Sequence, residues 1–300
     1  MPPEYGWFQG MCRAVSSLAL VFCLIGMSDL KAQSTISDRP LEVSTGQGLW
    51  GAWLPKYSWG ETPSGNAVIS DDMDLFGYHG DLKIVRRFLG TRTSFESRVF
   101  YATAESTANG VGAGENLPRP DGGVPDFNLS SGQAWRLTSG VENYGFDVSL
   151  RDTWVTRFGG LSAGCAFSYI AFDQTLDTTL NNLDLLREEL DANYRGGKAF
   201  VGWDGCFLGR PSNLDLLIGF YDMNADYDTD INYQTEMSKN VTTLEANFTT
   251  RRVFRDIEFG TTLGVMYFTD MPMIEHNDNA PASIGTDDAF TMKFLCEILL

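Results

Sequence analysis

The 300-residue chain carries 22 Lys and Arg against 39 Asp and Glu, a formal net charge of −17, with 43% hydrophobic and 13% aromatic residues. It has no surplus of cations to neutralise phosphates, which excludes a nucleic-acid binder, and it is too apolar for a disordered chain. Its 31 glycines and 11 prolines follow no fixed period, which excludes a collagen-like fibre.

Residues 14–27, AVSSLALVFCLIGM, form the longest apolar run; Arg13 precedes it and a polar stretch follows. That order is the order of a secretory signal peptide, and the run is shorter than the roughly 20 residues of a membrane-spanning helix. Residues 1–33 are read as the signal, 34–46 as a short periplasmic segment and 47–300 as one domain. Cys12 and Cys23 leave with the signal. Cys165, Cys206 and Cys296 remain, each in a strand-like run, and do not make a disulfide framework.

Beyond the signal, hydropathy alternates with a period of two, as in strands that send successive side chains to opposite faces. Trp50–Pro55 opens the series. Phe76, Tyr78, Leu82 and Ile84 then oppose Gly77, His79, Asp81 and Lys83; Phe95, Val99 and Tyr101 oppose Ser94, Glu96 and Arg98. Residues 132–142 read as an additional strand that turns at Asn143–Gly145. Phe146, Val148, Leu150 and Trp154 oppose Asp147, Ser149, Arg151 and Thr153, and the pattern recurs from Leu161, Val201, Leu214 and Leu244. Leu183–Leu190 (LDLLREEL) is the one convincing helical periodicity and predicts a short loop helix. The clearest alternation is 257–270. The last strand runs from Phe290 to Leu300.

Short turns fall at Phe88–Thr91, 158–160, Gly209–Asn213 and 252–256. Long polar connections fall at 57–72, 106–131, 177–193, 229–240 and 270–288. Amphipathic strands of 10 to 14 residues joined by alternating short and long connections are the signature of an outer-membrane barrel. The fold class expected is all-β: a transmembrane antiparallel up-and-down β-barrel of ten to twelve strands. A secreted β-sandwich or adhesin, with its apolar faces packed together, is the alternative.

The chain resembles bacterial outer-membrane β-barrel proteins of the porin-like kind over residues 47–300. The blocks WRLTSGVENYGFDVSL (135–150) and NYRGGKAFVGWDGCFLGRPSNLDLLIGFY (193–221) are similar to the up-strand, short-turn, down-strand units of barrels in planctomycete-like and Legionella-like envelopes. The resemblance implies an outer-membrane location, with membrane lipid, lipopolysaccharide and the barrel assembly machinery as partners. It implies a porin-like channel or a structural envelope protein.

Several residue groups are candidates for chemistry. Residues 222–230, DMNADYDTD, place Asp222, Asp226, Asp228 and Asp230 at alternate positions, an oxygen set suited to a divalent cation such as Ca²⁺. The loop lacks the glycine and terminal glutamate of an EF-hand, so a solvated loop is the simpler reading. No other cofactor is expected. Glu96, Arg98, Arg151, Lys198, Asp204, Asp215, Glu245, Glu258 and Lys293, with Arg157 and Glu297, fall on the polar faces. They would line a charge-selective pore or fill a narrow barrel with ion pairs. Of two histidines, His79 faces the same side as Asp81, and His276 with Asp278 is the only pair that a rim hydrolase could use. No nucleophile is specified, and an enzyme is not expected. The Gly-rich stretch Gly110–Gly123 precedes no helix and is not a phosphate loop.

Overall fold

The computed structural model describes residues 40–61, 67–124, 126–157, 159–255, 257–277 and 280–299. The signal-peptide assignment lies outside them. The strands are β1 (Leu41–Trp53), β2 (Tyr57–Glu61), β3 (Ala67–Asp71), β4 (Asp74–Arg87), β5 (Thr93–Val111), β6 (Glu115–Leu117), β7 (Phe127–Leu129), β8 (Ala134–Thr156), β9 (Gly159–Leu180), β10 (Leu183–Phe207), β11 (Arg210–Thr229), β12 (Gln234–Phe254), β13 (Ile257–Asn277) and β14 (Ala280–Leu299). Ten of these close an antiparallel barrel in the cyclic order β1-β4-β5-β8-β9-β10-β11-β12-β13-β14. The pairs β2–β3 and β6–β7 are separate hairpins within the two long connections. A single closed ring replaces the two facing sheets that the sandwich alternative required.

Closure fixes the stagger. From Gln47 the paired row runs through Gly80, Tyr101, Tyr144, Ala171, Asn193 and Asn224 to Ser238 on β12. In the other direction it runs through Cys296 and Thr261 to Thr250, twelve residues further along the same strand. A shear of this size tilts the strands by roughly 40°.

The strands are longer than the sequence predicts. Seven barrel strands, β8 to β14, have 20 to 25 residues. The connections expected at 177–193, 229–240 and 270–288 are mostly strand, closed by tight turns such as Asn181–Asn182, with φ of 50° and 64° at the two central residues of a type I′ hairpin. The loop helix expected at Leu183–Leu190 is part of β10. Its inward positions are Leu186, Glu188 and Leu190, and the buried Glu188 between two leucines is what disguised the alternation. Likewise no turn interrupts β8 at Asn143–Gly145. Asn143 pairs with Ala102 on one side and Phe172 on the other, so 135–150 lies within one strand and is not a hairpin block. Block 193–221 does turn, at Leu208–Gly209. The barrel also begins at Leu41, inside the segment read as periplasmic, because β1 pairs with β14 from Ser44 onward.

The short turns gather at one end of the barrel, here the turn end, with Leu41 and Leu299. At the opposite mouth the β2–β3 hairpin folds inward. Trp59, Ile69 and Met73 are fully buried, and Tyr57 nearly so. The β6–β7 hairpin caps it with the buried Leu117 and Leu129. The two hairpins meet closely at Gly60: its φ is +70°, and a Cβ there would lie 2.8 Å from Leu117 Cδ2. A left-handed backbone costs an L-residue roughly 1–2 kcal/mol, and the clash adds to it. Gly60→Ala is therefore expected to lower stability by about 2 kcal/mol and to expose the mouth hairpins to protease. Thermal unfolding and limited proteolysis of the refolded protein measure both.

Candidate functional site

The inner face of the barrel divides into two layers. In the mouth half the wall itself supplies an apolar core. Trp50 packs on Phe172 at 6.5 Å between ring centroids, Phe172 on Phe268 at 5.5 Å and Tyr194 on Phe268 at 5.6 Å. Ile170, Leu137, Val141 and Met223 fill the spaces between them. In the turn-end half the same inward positions carry charge.

All nine residues expected to line a pore lie on this inner face, and most are paired. Arg98 meets Asp81 at 3.0 Å. Arg151 meets both Glu96 and Asp215 at 2.8 Å. Lys198, with 2% of its side chain exposed, lies between Asp147 at 3.0 Å and Glu245 at 3.2 Å. Lys293 reaches Glu245 at 3.6 Å, and Arg251 lies 3.5 Å from Glu258. Asp204 accepts from Asn213 at 2.9 Å. A chamber of about 180 Å³ remains among Glu42, Lys83, Arg87, Glu96, Asp204 and Arg251 at the turn end. A second, of about 40 Å³, lies beside His79, Lys198 and Glu245. Ion pairs fill much of this turn-end half of the lumen.

Above the apolar layer is a constellation that spacing alone could not show. Glu188 on β10 and His276 on β13 have 0% and 1% of their side chains exposed, and His276 Nε2 lies 3.2 Å from Glu188 Oε1. Tyr57, from the inward-folded hairpin, donates to Glu188 Oε2 at 2.6 Å and lies 3.2 Å from His276 Nε2. Tyr227 on β11 donates to Glu188 Oε1. Since the Tyr57 proton goes to Glu188, both contacts of His276 Nε2 are favourable only when that nitrogen carries a proton. Trp59 stacks on the imidazole at 5.4 Å and donates Nε1–H to the Pro118 carbonyl at 2.8 Å. A second clasp holds the other arm of the hairpin: Asp71 Oδ2 accepts from Ser106 at 2.7 Å and Ser139 at 3.1 Å.

Burial pushes the Glu188 carboxyl up, but the adjacent His276 and the hydrogen bonds from His276, Tyr227 and Tyr57 outweigh it, so the net shift is downward. Burial and the Glu188 charge raise both phenols. This buried carboxylate ties a mouth hairpin to three barrel elements. It is not the rim pair expected from sequence: His276 is turned inward onto Glu188, and Asp278 lies outside the described residues.

The aspartates of DMNADYDTD are on the opposite surface. Asp222, Asp226 and Asp228 project outward from β11, and Asp230 lies in the turn beyond it. Alternate residues on one strand face are nearly 7 Å apart, so the sequence spacing does not wrap an ion. No group of three or more His, Cys, Asp or Glu among the described residues is arranged to hold a metal. The registers produce a different row: Glu142, Asp173, Asp191, Asp226 and Glu236 stand directly opposite one another on β8 to β12. Burial first, then Asp173, Glu189, Asp226 and Asp228, raise the Asp191 carboxyl. Like charges directly opposed weaken a sheet, and no single strand reveals the row.

No protein-family model and no curated protein sequence matches the chain. Among solved structures, the outer-membrane protease OmpT of Escherichia coli aligns over 91% of this chain and 98% of its own, at 7% identity and a TM-score of 0.49. Ail, the attachment invasion locus protein of Yersinia pestis, aligns over 87% and 97%, at 9% identity and a TM-score of 0.29. The toluene transporter TodX of P. putida aligns over 89% and 91%, at 10% identity and a TM-score of 0.28. The fold rests on the strand registers themselves.

Two outcomes are expected. Replacing Lys198 with Ala removes the cation of Asp147 in a desolvated lumen and leaves Glu245 only its longer contact to Lys293 and its bond from Asn247, and should cost about 3–5 kcal/mol, read as a lower denaturation midpoint. Glu188→Gln should instead loosen the mouth locally, by roughly 1.5–3 kcal/mol for bonds to a charged group, read as faster amide exchange in 57–71. The pH dependence has a definite sign. A carboxyl with a depressed folded pKa contributes stability above its ordinary value near 4.3 and loses that contribution as pH falls through the folded value. The protection of 57–71, corrected for the intrinsic exchange rate at each pH, should therefore fall with acid below about pH 4.3 in the native protein and lose this dependence in Glu188→Gln.

Proposed function

We propose that the chain is a bacterial outer-membrane β-barrel that serves as a closed structural envelope protein and not as an open diffusion channel. The membrane reading rests on the outer wall. Along β10 the outward residues are Gly197, Ala199, Val201, Trp203, Gly205 and Phe207; above them the face changes to Arg195, Asn193 and Asp191. On β11 the sequence Leu214, Leu216, Ile218, Phe220 gives way to Asp222. Ten residues of a strand tilted by about 40° rise about 25 Å, the height of the apolar band on an outer-membrane barrel. Trp53, Tyr144, Tyr169 and Tyr267 lie at its mouth-side border, where rings with a polar handle suit the interface, and Phe76, Phe220 and Phe290 lie beside them. Glu188 and His276 lie beyond that border. The narrower likeness to planctomycete- and Legionella-type envelopes is supported by the hairpin 193–221 and not by 135–150.

The observation that carries the closed reading is the filled mouth half of the lumen. Trp50, Phe172, Tyr194 and Phe268 meet across it and the β2–β3 hairpin lies above them. The reading assigns no catalytic role: His276 spends Nε2 on Glu188 and Tyr57 and has 1% of its side chain exposed.

Planar-bilayer recording of the refolded protein tests this. The full barrel should be silent, and so should one lacking residues 57–71, because the aromatic layer belongs to the wall. Discrete conductance steps in the full barrel would replace the closed reading with a channel. Recovery in the periplasm without detergent would remove the membrane reading altogether.

A further inference from the structure

We infer that two copies of this chain pair side by side in the membrane across β1, through a reciprocal amide contact between Gln47 and Gln47 of the partner subunit. The inference rests on the membrane reading above.

Gln47 is exposed on the outer wall. It is the midpoint of β1, six residues from both Leu41 and Trp53. Six residues of a tilted strand rise roughly 15 Å, so along its own strand the glutamine side chain does not reach the border at Trp53 or the strand start at Leu41. A shear of twelve over ten strands places equal heights about 1.2 residues per strand off the paired row. At the height of Gln47 the outward residues include Leu82, Val99, Val148, Phe167, Leu263 and Phe294. One primary amide therefore interrupts an otherwise apolar midplane.

In hydrocarbon an amide without a partner is strongly disfavoured. Its flanking strand neighbours are Gly80 and Cys296, whose backbones are engaged in the ladder, and the Tyr78 hydroxyl that leans over Gly80 does not bond to the Gln47 amide. Thr45, two residues nearer the turn end, solves the same problem by donating its hydroxyl to the Asp81 carbonyl at 3.2 Å. Among the described residues none hydrogen-bonds the Gln47 amide.

The chemistry selects a second copy of this chain. Every copy inserts in the same direction, so a two-fold axis along the membrane normal brings residues of equal depth together. An amide has both a donor and an acceptor, so two of them satisfy each other through a pair of N–H···O bonds. No other outward amide or charge lies at this depth among the described residues, so within a pair of copies Gln47 of the partner subunit is the one amide that can answer Gln47. The surroundings permit approach. Cys296 on one side is small, the Tyr78 ring lies flat over Gly80 on the other, and β1 and β4 end at Trp53 and Asp74, where their connection folds into the mouth and not over the outside.

The experiment uses the mature full-length protein in phosphatidylcholine vesicles, with Cys165, Cys206 and Cys296 replaced by Ser so that no native thiol competes. Gln47→Cys should oxidise to a covalent dimer. Ala199→Cys, at the same depth on the far side of the barrel, should stay monomeric. In the otherwise native protein, Gln47→Leu should weaken self-association about tenfold by energy transfer between labelled copies, with heat-modifiable gel migration unchanged. Equal cross-linking at 47 and 199, or association unaffected by Gln47→Leu, would overturn the pairing while leaving the membrane reading intact. Failure of the native protein to enter vesicles or the outer-membrane fraction would overturn both.

Discussion

The constraint on which the rest depends is closure of the hydrogen-bonded ring. In a lipid bilayer every backbone N–H and C=O must find its partner within the protein, and an antiparallel sheet does so only when its first and last strands pair. Here β1 meets β14 over ten residue pairs, Ser44–Leu299 to Trp53–Phe290. Closure at a stagger of twelve sets the tilt. The tilt sets how many residues cross the apolar band, and the strict two-residue period then decides which side chains face lipid and which face the lumen. A one-residue slip at the seam would turn Trp50 outward and Leu49 inward, and every later pairing would have to follow it.

Inside that ring the chain handles polarity in three ways. At the turn end, basic and acidic residues neutralise one another at hydrogen-bonding distance, with Arg151 serving two carboxylates and Lys198 two more. Across the middle, aromatic rings exclude water. At the mouth, one buried carboxylate is held by a histidine and two tyrosines. Such buried charges are weak sources of net stability but costly to break singly. They therefore specify which strand lies beside which. The Glu188 cluster joins β2, β10, β11 and β13, elements between which the barrel ladder makes only one contact, β10 with β11.

The barrel was legible in the sequence because period-two alternation survives wherever the inner face is small or charged and the outer face apolar, as along 257–267. It failed where the inner face becomes apolar too, or where a charge is buried. Leu183–Leu190 looks helical because Glu188 occupies an inward position among leucines. The join at Asn143–Gly145 looks like a turn because both residue types favour turns, yet the neighbouring strands pair straight through it. The mouth hairpins read as polar loops because their buried residues are spaced too widely to form a pattern. His276 stood out by rarity, but its partner is 88 positions away in sequence, a proximity only the fold creates. The acidic row is a product of four registers at once.

On the membrane reading proposed above, the extended strands have a consequence for what stands outside the bilayer. The β9–β10 hairpin continues from the apolar band at Gly197 to its tip at Asn181–Asn182 without leaving the ladder. At the same tilt, its 15 residues carry the tip close to 40 Å beyond that border. On the β1–β4 side the wall stops near the border itself. The exposed part is thus a lopsided parapet, tall on one flank, whose rigidity is continuous with the membrane span. Anything grafted at Asn181–Asn182 would stand well clear of the apolar band, in a fixed orientation and without a flexible stalk.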